Sequence, residues 1–279
     1  LGAGTAGLAI AGPAAALQDA PKSDAQQLLD SVADNLLAQS PEGATSLGID
    51  TGARAAMRGQ LGDRSAGGVT AHADRLKADV ARGRAYRTDG LDHATRTSLA
   101  VVESAYDVAL AGFALPYGDV AVGGWRNTPY VVIQNVGAYL DIPKFLDSDH
   151  PVKSSADAEA YLSRLNAFSD VLDGETGRLK AAGGQGLIAP AFLIDKAVTA
   201  MEATIADAKA GGSMVESLVR RTGEAKIAGD WSARSAKIVQ GPIAAALERQ
   251  LAELKAQRPK ARMDAGMWAR PGGDEWYAW

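Results

Sequence analysis

A stretch near the beginning of the sequence has the glycine spacing of a dinucleotide-binding loop. Residues 2–7 read GAGTAG, the G-x-G-x-x-G pattern whose backbone cradles a pyrophosphate at a helix N-terminus. This chemistry needs a buried strand that runs into the first glycine, and only Leu1 precedes it. The apolar run after the pattern reaches Gly12 and Pro13 too soon to form a crossover helix. A nucleotide-dependent oxidoreductase is therefore an alternative that rests on these glycines alone.

Three histidines are the candidate zinc ligands of the chain. A zinc site usually needs three protein ligands, and His-Glu-x-x-His is the helical spacing that supplies two of them. His72, His93 and His150 are scattered, none pairs with another four residues away, and cysteine is absent. We expect His72 and His93 to be solvated, and His150, which precedes Pro151, to make a local structural contact. The sequence therefore predicts no metal site and no cofactor within this chain.

Nucleophile and phosphate-binding motifs are absent. The sequence contains neither the G-x-S-x-G turn of a serine hydrolase nor a P-loop. Carboxylates are concentrated in one region, where we expect helix surfaces to expose them to solvent, with a paired acid and base as the open alternative. These carboxylates are Asp141, Asp147, Asp149, Glu159, Asp170, Asp173 and Glu175.

The elements that would position these groups are almost all helices. Apolar residues recur every three or four positions through most of the chain, which is the helical period. We expect an all-α fold, an irregular bundle of long antiparallel helices, with at most a minor short strand near residues 130–133. The clearest helix follows Ser154 as its N-cap. Other helices are predicted over about residues 24–39, 69–82, 91–115, 191–210, 214–221 and 233–257.

Residues 1–22 are predicted to be a signal-peptide remnant and linker, ahead of a single helical domain over residues 23–279. This start is uncharged and mildly apolar up to Gly12, and Ala14, Ala15 and Ala16 supply the small residues that signal peptidase accepts. Its weak hydrophobicity resembles twin-arginine signals, which predicts an exported protein, periplasmic or secreted without lipid. The run is shorter than the about 20 apolar residues of a membrane span, so we expect no stable membrane anchor. A disordered Ala/Gly terminus is the alternative interpretation.

Composition limits the class of partner. Of 279 residues, 47% are hydrophobic, which is enough for a buried core. The formal net charge is −4, whereas a nucleic-acid-binding protein normally carries a basic patch. We therefore expect no nucleic-acid partner. Without cysteine, neither a disulfide nor a thiolate nucleophile is available to the chain.

Three blocks of the sequence resemble a bacterial family called domain of unknown function 885. The first reads TPYVVIQNVGAYLDIPKFLDSDHPVKSSADAEAYLSRL (residues 128–165), the second GGQGLIAPAFLIDKAV (183–198) and the third RPGGDEWYAW (270–279). Their order and spacing resemble those of the family from about residue 106 to the end. The resemblance implies that residues at recurrent family positions line a substrate cleft, with packing as their alternative role. These residues are Tyr130, Gln134, Gly273 and Tyr277.

The resemblance also implies a longer protein. Full-length members resemble helical zinc metallopeptidases of the gluzincin type, whose His-Glu-x-x-Pro-Gly-His-His motif lies in a half that this sequence does not contain. In such a motif two histidines hold zinc while the glutamate activates a bound water. The resemblance thus implies the N-terminal half of an exported, metallopeptidase-like protein. Zinc, a peptide substrate and peptide hydrolysis are expected only together with the missing C-terminal half as partner, and no catalytic residue is predicted in this chain.

A non-catalytic periplasmic helical binding or interaction protein is the alternative function. The two hypotheses predict different surfaces. Part of a larger fold should leave apolar surface exposed, and we expect it around Leu251, Leu254, Trp276 and Trp279, where the sequence ends in an aromatic run. A self-sufficient binding protein should cover these residues.

Overall fold

A computed structural model describes residues 23–123 and 127–279 of the chain. The predicted signal-peptide remnant, with Ala14, Ala15 and Ala16, lies outside the described residues, as does the glycine pattern of residues 2–7. The described chain is helical, as predicted, and contains no strand. None of its helices is long and apolar enough to cross a membrane. Its α-helices are α1 (Asp24–Gln39), α2 (Pro41–Ser46), α3 (Ala66–Ala85), α4 (His93–Phe113), α5 (Ala138–Ser148), α6 (Ser155–Gly184), α7 (Ala191–Ala210), α8 (Ser213–Glu224), α9 (Trp231–Ile238), α10 (Ala244–Gln257) and α11 (Gly273–Ala278).

Side-chain caps fix where the long helices begin. Ser23 opens α1 with a complete capping box. The Asp92 carboxylate accepts a hydrogen bond from the backbone N–H of Thr95 at 3.0 Å and so caps α4. Ser154 caps α6 by accepting from the N–H of Asp157 at 3.2 Å, which confirms the predicted N-cap. Each such cap stabilises its helix by about 1 kcal/mol.

The apolar stretch near residues 130–133 is buried but forms no strand. Ile133 makes an isolated antiparallel bridge with Val136, and Val131 and Val132 lie in the hydrophobic core. A short apolar run indicates burial as readily as it indicates a strand, and here burial is its cause.

Two prolines lie inside helical segments. The sequence does not predict α5, because Pro143 stands within it and proline normally disfavours a helix interior. Burial of Tyr139, Ile142 and Leu146 on one face of α5 outweighs that cost. Pro242 lies in a π-helical turn, Val239–Ile243, which joins α9 to α10 without ending the helix.

The buried apolar residues form two separate clusters. The main cluster is centred on α6, whose Tyr161, Leu165 and Phe168 are fully buried, and it includes residues of α5 and α7 to α10. The N-terminal cluster joins α1, α3 and α4. Its buried members are Val32, Leu76, Val80, Tyr106 and Ala109.

The apolar surface that we expected near the end of the chain is only partly present. Leu254 is buried in the main cluster and Leu251 packs against that cluster, because α10 packs on both α6 and α7. The expectation that these two leucines are exposed is therefore wrong. Trp276 and Trp279 are half-buried, and their rings meet edge-on with centroids 5.4 Å apart.

A buried arginine joins the segment around α2 to the main cluster. Arg164 of α6 is fully buried, and burial lowers its pKa to about 10. Its guanidinium donates to the carbonyl oxygens of Gln60 and Met57, at 2.9 and 3.0 Å, and to Thr45 Oγ1 at 2.7 Å. Another of its nitrogens lies 2.7 Å from His150 Nδ1. Neutral acceptors thus satisfy this buried charge, and the predicted structural contact of His150 is confirmed.

Candidate functional site

A cleft lies where the N-terminal cluster meets the main cluster. Its larger part has a volume of about 430 Å³ and is walled by Leu36, Val69 and Phe113, with Arg178 of α6 in its lining. A second cavity of about 220 Å³ shares Val69, Phe113 and Arg178 with the first and extends to Tyr117. Ligand sites are typically apolar cavities with a few placed polar groups, so the two volumes together form a candidate ligand cleft.

A close approach of two backbones sets the position of this cleft. The segment before α3 crosses α6 at Gly174, where a side-chain Cβ would stand 2.9 Å from the backbone nitrogen of Ser65. The Ser65 hydroxyl then caps α3 by accepting from the N–H of Gly68 at 3.1 Å. Gly174 therefore allows the start of α3 to lie directly on α6, which brings Val69 and Arg178 into the same cleft.

Arg64 and Glu175 form an ion pair at the cleft. Arg64 Nη1 lies 3.0 Å from Glu175 Oε1 and 3.4 Å from Asp141 Oδ2. Burial by itself would lower the pKa of Arg64, but the charges of Glu175 and Asp141 raise it overall. Burial raises the pKa of the Glu175 carboxyl, and Arg64 opposes that shift. Glu175 also accepts from the N–H of Ala138, at 3.0 and 2.9 Å, and thereby caps α5 after Gly137, which has no side chain to do so.

Arg178 holds the loop that forms the opposite wall of the cleft. Its Nη2 donates to Asp119 Oδ1 at 2.7 Å and to the carbonyl oxygen of Gly118 at 2.8 Å. Asp119 in turn pairs through its backbone with Thr128. The loop around Gly118 is thus attached to α6 by a charged hydrogen bond, which is stronger than a neutral one.

His72 lines the cleft and has one buried ring nitrogen without a hydrogen-bond partner. It lines the larger cavity, and its ring meets that of Phe113 edge-on at a centroid distance of 5.4 Å. His72 Nδ1 is buried without a hydrogen-bond partner. Burial, with a smaller effect of Arg75, lowers the pKa of His72, so the ring is neutral at pH 7. The cleft therefore has a neutral imidazole beside apolar walls, and His72, which we expected to be solvated, is half-buried.

The structure brings the first and third sequence blocks together at Tyr130. This residue packs partly buried against the main cluster, and its buried hydroxyl lies beside Arg270. Burial raises the pKa of Tyr130, while the charge of Arg270 opposes the shift. The cavity at Tyr130 measures only about 10 Å³, which is room for a single water. A role of Tyr130 at a substrate cleft stays a prediction.

The other three residues predicted to line the cleft, Gln134, Gly273 and Tyr277, differ in how deeply they are buried. Gln134 is half-buried, and its Oε1 has no hydrogen-bond partner. Gly273 is buried, and a Cβ there would stand 1.7 Å from the carbonyl oxygen of Met267, so packing alone requires glycine. Tyr277 is 83% exposed. Among the described residues, no hydrogen bond joins Gln134, Gly273 or Tyr277 to Tyr130.

The described residues do not fit a zinc ion. Nowhere in residues 23–123 and 127–279 do three His, Cys, Asp or Glu side chains converge as a ligand set. His93 is exposed, His150 contacts Arg164, and His72 stands alone in the cleft. Zinc in a longer protein therefore stays a prediction.

The sequence does not predict the charged residues of the cleft, which are Arg64, Glu175 and Arg178. Glu175 was expected on a solvated face and is buried, so that expectation is wrong. A signal was present, because Glu175 stands three residues after Leu172 and four before Leu179, on the buried stripe of α6. Its partner Arg64 has no such signal, since Arg64 lies in a loop far from α6 in sequence.

These features define an all-helical protein with a charged cleft between two apolar clusters. The chain belongs to the family described as Bacterial protein of unknown function (DUF885), whose model matches residues 41–279. This match confirms the family resemblance of the three sequence blocks.

A solved structure shares the fold. The crystal structure of a "putative lipoprotein" from Colwellia psychrerythraea superposes with a TM-score of 0.80 at 17% sequence identity. The match covers 92% of this chain and 45% of that chain, so this chain spans less than half the length of the solved protein. At this identity the similarity shows the fold alone. No curated protein matches the chain.

Proposed function

We propose that this chain is the N-terminal helical part of a longer exported protein that resembles zinc metallopeptidases. In this proposal the chain contributes one wall of a peptide-binding cleft, and residues outside it supply the zinc ligands and the catalytic groups. The observation that carries the proposal is that the solved relative is about twice as long as this chain, because the shared fold covers only 45% of its residues.

The cleft supports a binding role for this part. Its walls are apolar at Val69 and Phe113, which suits the side chains of a peptide, and the half-buried imidazole of His72 adds a polar group to the lining. The charges of Arg64 and Arg178 are already paired with carboxylates, so they shape the cleft more than they attract an ion. A neutral, extended peptide fits this chemistry better than a highly charged ligand.

Export is the second part of the proposal. The solved relative is described as a "putative lipoprotein", and lipoproteins are exported proteins. The signal-like residues Ala14, Ala15 and Ala16 agree with that location. Fractionation of cells that express the gene should find the mature product outside the cytoplasm, and a product confined to the cytoplasm would contradict this part.

The enzymatic part is tested with the complete gene product that contains this sequence and with residues 23–279 alone. We expect the complete product to hydrolyse fluorogenic peptides, to lose activity with a zinc chelator and to regain it with zinc, while residues 23–279 alone are inactive. Hydrolysis by residues 23–279 alone, or a complete reading frame without His-Glu-x-x-His, would refute the proposal. Peptide binding without hydrolysis by the complete product would establish the alternative, a non-catalytic binding protein.

A cleft variant tests the binding role separately. In the complete product, His72→Leu removes the buried nitrogen while it keeps the wall apolar, and we expect KM for peptides to rise by about fivefold or more with kcat nearly unchanged. His93→Leu is the matched control, because His93 is an exposed histidine at the start of α4. Equal kinetics of the two variants would remove His72 from the binding site.

A further inference from the structure

The outer face of α4 forms one wall of an uncharged groove on the protein surface. The groove has a volume of about 620 Å³ and is lined along α4 by residues that include Val101, Ser104 and Val108. Val101 is 60% exposed and Val108 is 55% exposed. These valines stand seven residues apart, about two helical turns, so they lie on one face of the helix.

The exposed face of α4 that lines the groove is uncharged, whereas the exposed face of an ordinary surface helix carries charged residues. α4 buries Leu99 and Tyr106 on its inner face, and solvent-facing positions would normally be charged. The charges of α4 lie elsewhere on the helix, as at Asp107, which pairs with Arg84. Every groove residue that α4 contributes is uncharged and of small or moderate size, which lets another helix approach closely.

Hydrogen bonds connect the residues on the other side of the groove. Asn127 accepts one from the N–H of Ala121 at 2.8 Å, and both residues line the groove. The indole of Trp279 donates to the carbonyl oxygen of Val108 at 2.7 Å, and its ring takes the space that a side chain at Gly112 would need. The groove is therefore a preformed concave surface, with an aromatic ring at one edge.

We propose that this groove is the docking surface for an apolar helix of the remaining part of the same protein. The inference rests on the proposed function. The solved relative contains this fold in 45% of its chain, so more than half of that protein lies outside the shared region. Packing of that additional polypeptide on the shared fold would use apolar contacts, and the groove lined by Val101, Val108 and Trp279 supplies uncharged surface for them.

Charge insertion into the groove provides the test. The double variant Val101→Glu/Val108→Glu is compared with Ser98→Glu, a matched control on an exposed position of the same helix outside the groove lining. In residues 23–279 alone, we expect both variants to keep the urea midpoint of the unsubstituted chain, since the valines are exposed there. In the complete gene product, we expect the double variant alone to raise deuterium uptake in α4 by about tenfold or more.

The outcomes separate this inference from its alternatives. Equal uptake in α4 for the complete product and for residues 23–279 alone would overturn the docking, even if the complete product hydrolyses peptides. If α4 takes up deuterium more slowly in the complete product, but that product does not hydrolyse peptides, the docking inference would stand and the proposed function would be refuted. Dimerisation of residues 23–279 that the double variant abolishes would assign the groove to a second copy and overturn the inference, as would a reading frame with no further polypeptide.

Discussion

Protonation of His150 should make the protein less stable in mild acid. The imidazole is fully buried, its Nε2 lies 2.9 Å from the carbonyl oxygen of Asp157, and its Nδ1 lies 2.7 Å from an Arg164 nitrogen. Since Arg164 can only donate, Nδ1 must accept, and the ring is neutral with its proton on Nε2. Acid would place a second positive charge against Arg164 inside the core.

The size of this effect follows from the pKa of His150. Burial lowers the pKa to about 4, the carbonyl of Asp157 opposes the shift, and the charges of Arg164 and Arg221 add to it. The ordinary value is 6.5, so the unfolded chain takes up the proton at a higher pH than the folded chain. Stability therefore falls as pH drops below about 6.5, by about 2 kcal/mol at pH 5 and about 3 kcal/mol near pH 4.

The assay is urea unfolding of residues 23–279 at pH values between 7 and 5. His150→Asn loses hydrogen bonds and should be less stable at pH 7, but its free energy of unfolding should depend less on pH than that of the unsubstituted chain. Groups such as Glu175 and His72 titrate in both proteins, so the difference between the two slopes isolates His150. His93→Gln, at an exposed position, is the control and should keep the original slope.

An NMR titration of the unsubstituted protein tests the same prediction even if His150→Asn does not fold. The imidazole resonance of His150 in the unsubstituted protein should titrate near pH 4 by NMR. An equal pH slope for His150→Asn and the unsubstituted chain would refute the reasoning. So would a measured pKa of His150 near 6.5.

Two further substitutions test the packing and the cleft, each by urea unfolding. Gly273→Ala should cost about 2 kcal/mol or more, because its Cβ would stand 1.7 Å from a backbone carbonyl oxygen, whereas Gly177→Ala, an exposed helix position with free space, should stabilise by about 0.5 kcal/mol. Equal effects at the two glycines would contradict this packing. Glu175→Gln should cost about 3 kcal/mol, because Arg64 loses its buried carboxylate, while Glu159→Gln, which breaks an exposed pair, should cost less than about 1 kcal/mol. A cost of Glu175→Gln as small as that of Glu159→Gln would show that the cleft does not depend on this ion pair.

The sequence predicts the helices well where local signals agree. The apolar spacing predicts residues 191–210, and α7 is Ala191–Ala210. Ser154 as N-cap is confirmed for α6 because a cap depends on residues only three positions away. α5 is missed because Pro143 opposes a helix locally, and only the burial of Tyr139 and Leu146 in the main cluster compensates.

The cleft depends on contacts that no local pattern encodes. Arg64 and Glu175 are 111 residues apart in sequence and meet because the segment before α3 crosses α6 at Gly174. The position of Glu175 on the buried stripe of α6 could reveal a buried carboxylate, but not its partner. His72 is half-buried because Phe113 of α4 covers it, a contact between two helices that sequence spacing does not fix.

The zinc content of two preparations tests the central claim most directly. Residues 23–279 and the complete gene product are purified side by side, dialysed against zinc-free buffer after loading, and measured by inductively coupled plasma mass spectrometry. The proposal predicts about one zinc per molecule of the complete product and none retained by residues 23–279. One zinc bound by residues 23–279 alone, or none in the complete product, would contradict it.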